Sequence, residues 1–187
     1  MIKSLKDNIK SWYKGVKWQD IEYFDTLWKR RIELMASYIP AGASVADLGC
    51  GEMWLKDFLT TGNTYNPVDY KERGSGTIIC DFNKGEFPDI ICDIAFVSGC
   101  LEYVIDYPSF IYSISGNYSA CILSYCPLEI ISNIKERTAL AWKNHLKEDE
   151  VAKQFLQHGF NLVEKTTFQD KNTIFVFAKP GYKMGRQ

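Results

Sequence analysis

The sequence predicts a doubly wound α/β fold: a mostly parallel seven-stranded sheet with an antiparallel last strand and helices on both faces. Three observations carry that prediction. Short apolar runs of strand length alternate with segments of helical period. Polar residues and glycines punctuate the ends of those runs: Asp47 with Gly49, Asp69, Asp81, and Ser98 with Gly99. The last two runs, FNLVEKTTF and TIFVFAK, are joined by QDKN, a four-residue turn that suits an antiparallel hairpin.

The elements follow in order. From Asp20 to Ile39 the apolar residues Ile21, Phe24, Leu27, Trp28, Ile32, Met35 and Tyr38 recur at helical spacing. Asp20 is placed to cap that helix, and Pro40 to end it. Val45–Leu48 reads as the first strand, followed by two glycines and a helix carrying Trp54, Leu55, Phe58 and Leu59. TYNPVDY reads as a second strand ending at Asp69, GTIICDF as a third ending at Asp81, and DIAFVSG as a fourth from Asp93 to Ser98. A helix from Tyr107 to Ser115 leads into the fifth strand, YSACILSYC. A long helical region is expected from Leu128 to Gln157, broken near Asn144 to Lys147 and stopped at Gly159. Strands alternating with helices imply a parallel sheet covered on both faces, and such sheets bind ligands beyond the carboxyl ends of their strands.

Composition narrows the function. The chain has 187 residues, enough for one domain with a substantial core. Its 46% hydrophobic and 24% charged residues are those of an ordinary globular protein. With 22 basic and 23 acidic residues the net charge is −1, so no bulk attraction to nucleic acid or anionic membrane is expected. Lys29, Arg30 and Arg31 are basic neighbours on the first helix and read as a solvated face. No apolar run is long enough to span a membrane, and MIKSLKDNIKSWYKG lacks the apolar middle of a signal peptide, so a cytoplasmic protein is expected. The six cysteines contain no CxxC pair and lie partly in apolar runs, which reads as buried free thiols. With only two histidines, His145 and His158, no metal site is expected.

The stretch VADLGCGEMWL carries the chemistry. Two glycines after a strand let a backbone loop approach a ligand closely. A dinucleotide fingerprint wants a third glycine, and the sequence Gly49-Cys50-Gly51-Glu52-Met53-Trp54 has tryptophan there. Asp47 and Glu52 would repel a pyrophosphate; they suit a cationic ligand with an amino group.

These residues resemble the class I S-adenosylmethionine-dependent methyltransferases, a Rossmann-like family, from about residue 20 to residue 179. The resemblance implies that Asp47, Gly49, Cys50 and Gly51 surround the methionine part of S-adenosylmethionine. It places Asp69 on both ribose hydroxyls, with Tyr70 beside it. It implies that Asp81 meets the adenine amino group, with Phe82 offering an amide and apolar surface, and that Ser98 and Gly99 lie near the sulfonium and the substrate. Three departures stand out: Met53 where glycine is usual, Pro67 where glycine is common in the second strand, and Tyr103 where many relatives have histidine.

The domain is expected to span residues 41–187, with residues 1–40 as a helical segment packed on it. Trp12 and Trp18 fall in a lysine-rich stretch ahead of the first helix, where aromatic faces can form a lid or an acceptor platform. His145, in AWKNHLKEDE, and Tyr103 are the candidate catalytic residues; His145 has the intrinsic pKa of a general base. The bland readings are a helix-capping Asp47, turn aspartates at Asp69 and Asp81, and a surface His145. The expected activity is methyl transfer, by O-methylation, to a small molecule or glycan, because SGCLEY lacks the NPPY-type loop of amino-methylating DNA enzymes. Rivals are a non-catalytic subunit of the same fold, an NAD-dependent oxidoreductase and an aminopropyl transferase. Composition leaves the oligomeric state open.

Overall fold

The computed structural model describes residues 25–185. Trp12, Trp18 and the proposed cap Asp20 lie outside them. Helix α1 spans Thr26–Ala36, and Asp25 caps it by accepting the Leu27 amide at 2.9 Å. It ends short of Ile39 in a tight turn, where the Ile39 amide donates to the Ala36 carbonyl.

Seven strands form one sheet: β1 (Ser44–Leu48), β2 (Thr64–Asp69), β3 (Ile78–Ile79), β4 (Ile94–Ser98), β5 (Ala120–Tyr125), β6 (Asn161–Phe168) and β7 (Asn172–Ala178). Their order is β3-β2-β1-β4-β5-β7-β6. The first five are parallel, and β7 runs antiparallel between β5 and β6. The strand order reverses between β1 and β4, which sets the ligand crevice at their carboxyl ends. β5 is buried along its whole length, which is why it reads as an unbroken apolar run rather than an alternating one. The hairpin between β6 and β7 closes with Gln169 and Asp170 at positive φ and the Lys171 amide on the Phe168 carbonyl.

Each face has its own core. One packs α2 (Tyr107–Asn117) and α4 (Glu148–Gln157) through Phe110, Ile111, Ile114, Val151 and Phe155 onto Ala46, Leu48, Val97 and Phe177. The other packs Met35 and Ala36 of α1 with Leu55 onto Val45, Phe96, Ile122 and Val176. Each large side chain so buried contributes about 1.5–3 kcal/mol before the entropy of ordering is subtracted.

Three elements depart from the sequence-based expectation. The helix after β1 is only a five-residue 3₁₀ turn, Trp54–Phe58. Leu59 is already extended, and Asn63 locks the next turn by accepting from Thr60 and donating to the carbonyls of Pro40 and Ala43. β3 stops at Ile79 because Asp81 turns to cap a second 3₁₀ turn, Phe82–Lys84. The helical region expected over Leu128–Gln157 has its expected break at Asn144–Lys147, but a wider one: it resolves into α3 (Ile134–Ala139) and α4, with irregular chain before Ile134 and over 140–147. Chain on both sides of α3 wraps around the Arg137 guanidinium, which takes the carbonyls of Cys126, Ile131 and Asn144.

Candidate active site

The first glycine loop is shaped by backbone geometry. Gly49 has φ +83°, and a Cβ there would stand 2.6 Å from Cys100 Sγ, so neither the conformation nor the space admits a side chain. The Gly49 and Cys50 amides both donate to the Val68 carbonyl, at 2.8 and 3.0 Å, folding the loop back over β2. Met53 adopts φ +58°, ψ 25°, the left-handed region that glycine occupies freely. Met53 thus holds, without being glycine, a backbone conformation that glycine adopts without strain. The loop opens into a 3₁₀ turn, so no long helix dipole stands behind it.

The strand-end carboxylates are spread along the same edge. Buried Asp69 accepts the Gly51 amide at 3.0 Å through Oδ2, tying the loop to β2. Its Oδ1 lies 3.2 Å from Arg73 Nε, an ion pair without an aligned hydrogen bond. The Arg73 guanidinium stands 5.4 Å from the Tyr70 ring centre. Asp81 accepts the Asn83 amide at 3.1 Å, and its other oxygen lies 3.7 Å from Lys84 Nζ. The Phe82 ring is tilted against Phe110 at 4.8 Å, inside an aromatic cluster with Phe87. Its ring thus belongs to the core.

At the end of β4, Gly99 has φ +65° and its amide donates to Ser124 Oγ at 3.0 Å. Ser98 Oγ accepts from Arg31 Nη2 at 3.3 Å, and Asn172 Oδ1 accepts from Arg31 Nη1 at 2.9 Å. Beyond them the carbonyl of Tyr103 accepts from Asn83, and buried Glu102 accepts the Cys126 amide. The structure therefore brings Asp47, Gly49, Cys50, Gly51, Asp69, Ser98 and Gly99 to the strand-order reversal, with Tyr70, Asp81 and Phe82 at the outer strands.

No family model and no curated protein matches this sequence. Solved structures do. The SAH-bound crystal structure of CalO1, a methyltransferase in calicheamicin biosynthesis, matches at TM-score 0.65 and 13% identity over 87% of this chain and 56% of that one. The Burkholderia thailandensis 1,6-didemethyltoxoflavin-N1-methyltransferase, with 1,6-didemethyltoxoflavin and S-adenosylhomocysteine bound, matches at 0.60 and 17% over 93% and 86%. Magnesium protoporphyrin IX methyltransferase from Synechocystis PCC 6803, with bound SAH, matches at 0.64 and 15% over 93% and 94%. The fold is that of the class I S-adenosylmethionine-dependent methyltransferases. The chain spans just over half the length of CalO1 and most of the length of the other two.

Within this methyltransferase fold, His145 is turned away from base chemistry. Its Nδ1 accepts from Arg137 Nε at 3.2 Å, so the neutral ring carries its proton on Nε2 and its one lone pair is engaged. Partial burial and the Arg137 charge both hold its pKa below the ordinary histidine value. Arg137 itself is fully buried, donating further to Cys126 O, Ile131 O, Tyr125 Oη and Asn144 O, with the Trp142 ring 4.7 Å away. Asn144 binds the carbonyls of Leu101 and Val104, so the loop after β5 is fastened to the loop after β4.

Sequence reasoning missed Arg31, grouping it with Lys29 and Arg30 as a solvated face; the other two side chains are solvated, and Arg31 is not. Lys29 pairs with Asp57 at 2.6 Å, and Arg31 is 6% exposed. The signal was present: Arg31 lies four residues after Leu27 and four before Met35, on the apolar stripe of the methyltransferase fold's first helix.

Asp47 links this edge to pH. Its carboxyl is buried and accepts from Tyr65 Oη at 2.8 Å, and burial raises its pKa from 3.8 to about 7 despite that bond. The unfolded chain therefore loses this proton near pH 4 and the folded chain near pH 7. Asp47 contributes its full stability below about pH 4 and loses it as pH climbs to about 7, a change on the order of 4 kcal/mol. Urea unfolding from pH 4 to pH 8 should show Asp47→Asn gaining steadily on the wild type over that range. Parallel curves for the two proteins would contradict it.

Proposed function

We propose that this chain is a methyltransferase that uses S-adenosylmethionine and transfers its methyl group to an oxygen of a small-molecule or glycan acceptor. The observation that carries the proposal is Asp69: a buried strand-end carboxylate beside the glycine loop, with one oxygen spent on Gly51 and the other free of any aligned hydrogen bond. A carboxylate so placed suits a vicinal diol, and the flanking Asp47 suits an amino group. We assign Asp81 and the Phe82 amide to the adenine edge, Tyr70 to the ribose side, and Cys50 with the two loop glycines to the methionine part.

The bound cofactor supplies an electrophilic methyl group on a sulfonium. This chain's residues then have to hold two reactants in line and keep water away. Proximity and orientation of that kind lower a barrier by roughly 7–11 kcal/mol. A base adds about 10²–10⁴-fold where the acceptor carries a proton. His145 would have to release Arg137 to serve. We therefore place Tyr103, in the loop after β4, against the acceptor. The small-molecule assignment is supported by the didemethyltoxoflavin bound in one structural neighbour and by the net charge of −1. Among the described residues no helix is long and apolar enough to cross a membrane, and all six cysteines are free thiols, which suits the cytoplasm.

Titration calorimetry with S-adenosylmethionine, S-adenosylhomocysteine and NAD tests the reading. The first two should bind and NAD should not. Binding of NAD alone would replace it with the oxidoreductase.

A further inference from the structure

We propose that Arg31 is the anchor for a carboxylate, and that this carboxylate belongs to the methyl acceptor. The inference rests on the methyltransferase reading above and narrows its substrate to an acid. A guanidinium has five donor hydrogens and no practical way to shed its charge. Arg31 is buried, and among the described residues its hydrogen-bond partners, the Asn172 amide oxygen and the Ser98 hydroxyl, are neutral. Its Nε–H is buried without an acceptor. Among the described residues no carboxylate lies within ion-pair distance of it.

A buried cation with no carboxylate in contact costs several kcal/mol, so a fold that keeps one at a strand-end crevice has left a place for an anion. Glu102 does not fill that place. One of its oxygens is taken by the Cys126 amide and the other has no partner, so it bears on the Arg31 charge without making an ion pair with it. The backbone also makes room for the guanidinium: a Cβ on Gly99 would stand 2.9 Å from Arg31 Nη2.

Position indicates whose carboxylate it is. Arg31 bridges Ser98 at the end of β4 to Asn172 at the start of β7, across β5. Asp69 and Asp81 follow β2 and β3, on the other side of β1. The guanidinium thus faces the half of the edge that the nucleoside does not occupy. A carboxylate could also come from the methionine part of the cofactor, and the experiment separates the two sources.

The probe is benzoate, with benzamide as the uncharged control, read by NMR at the arginine Nε–H signals of the ¹⁵N-labelled full chain. Arg31→Lys identifies the Arg31 signal by its loss; should that variant not fold, backbone-linked assignment of the wild type serves instead. In protein saturated with S-adenosylhomocysteine, benzoate should move the Arg31 signal saturably and benzamide should not. Arg31→Gln should weaken benzoate about tenfold or more in calorimetry. A signal that moves with S-adenosylhomocysteine and no further with benzoate keeps the carboxylate site but overturns its assignment to the acceptor. A signal that answers neither overturns the site itself. If S-adenosylhomocysteine does not bind at all, the proposed function fails, while benzoate added to the free protein still decides the role of Arg31.

Discussion

Asp69→Ala should weaken S-adenosylhomocysteine by about 100-fold, the largest loss expected from any single strand-end residue. Two hydroxyls bound to one carboxylate are charge-assisted contacts of about 1.5–3 kcal/mol each. Arg73, at 3.2 Å, competes for one of the oxygens and trims the net gain. The substitution also cuts the tether from Asp69 to the Gly51 amide, loosening the loop that the ligand must meet in a fixed shape. Asp69→Asn keeps an oxygen for Gly51 and loses the charge, so it should fall between alanine and wild type. Calorimetry on both variants, with circular dichroism to confirm folding, checks the order. Undiminished affinity in the alanine variant would remove the ribose from this carboxylate.

Arg137→Met should destabilise the protein by about 3–5 kcal/mol, more than any change at the glycine loop. Methionine fills much of the volume and none of the hydrogen bonding. It strands Cys126 O and His145 Nδ1, at about 1–3 kcal/mol for each orphan, and removes one of three hydrogen bonds from Tyr125 Oη, which keeps Asn144 Oδ1 and the Leu146 amide. Arg137→Lys should recover little, since an ammonium cannot span the fork from Cys126 to Tyr125. At roughly 2–4 °C per kcal/mol for a chain of this size, a 3 kcal/mol loss lowers the melting temperature by about 6–12 °C. A shift within 2 °C or so would show that the loop after β5 holds without its guanidinium.

The strands and their punctuation were legible in the sequence because both are local. Apolar runs such as IAFVS and ACILSY declare buried parallel strands, and the crevice of such a sheet lies at their carboxyl ends. The failures share a different cause. Whether Trp54–Phe58 becomes a helix is decided by Asn63 reaching back to Pro40 and Ala43, a contact made across twenty residues of chain. The break expected near Asn144–Lys147 is present, but how far it extends, over 140–147 and before Ile134, depends on where one arginine points. Arg31 hid among basic neighbours because charge, read residue by residue, outweighed its place on the helix stripe.

The short connections have a consequence for how the crevice behaves. β1 joins β2 through one 3₁₀ turn, β2 joins β3 through residues 70–77, and β3 pairs with β2 at only two positions, Val68–Ile78 and Asp69–Ile79. The outermost rung of the sheet is thus the carboxylate-bearing one, backed by an isoleucine that is 65% exposed. Fraying of that edge exposes little apolar surface, so it opens at a small fraction of the global unfolding free energy. The amide of Cys80, bonded to the Asp69 carbonyl at 2.8 Å, is the natural reporter. If the proposed function holds, ligand binding at Asp69 should favour the closed edge, and protection of the Cys80 amide should rise with occupancy.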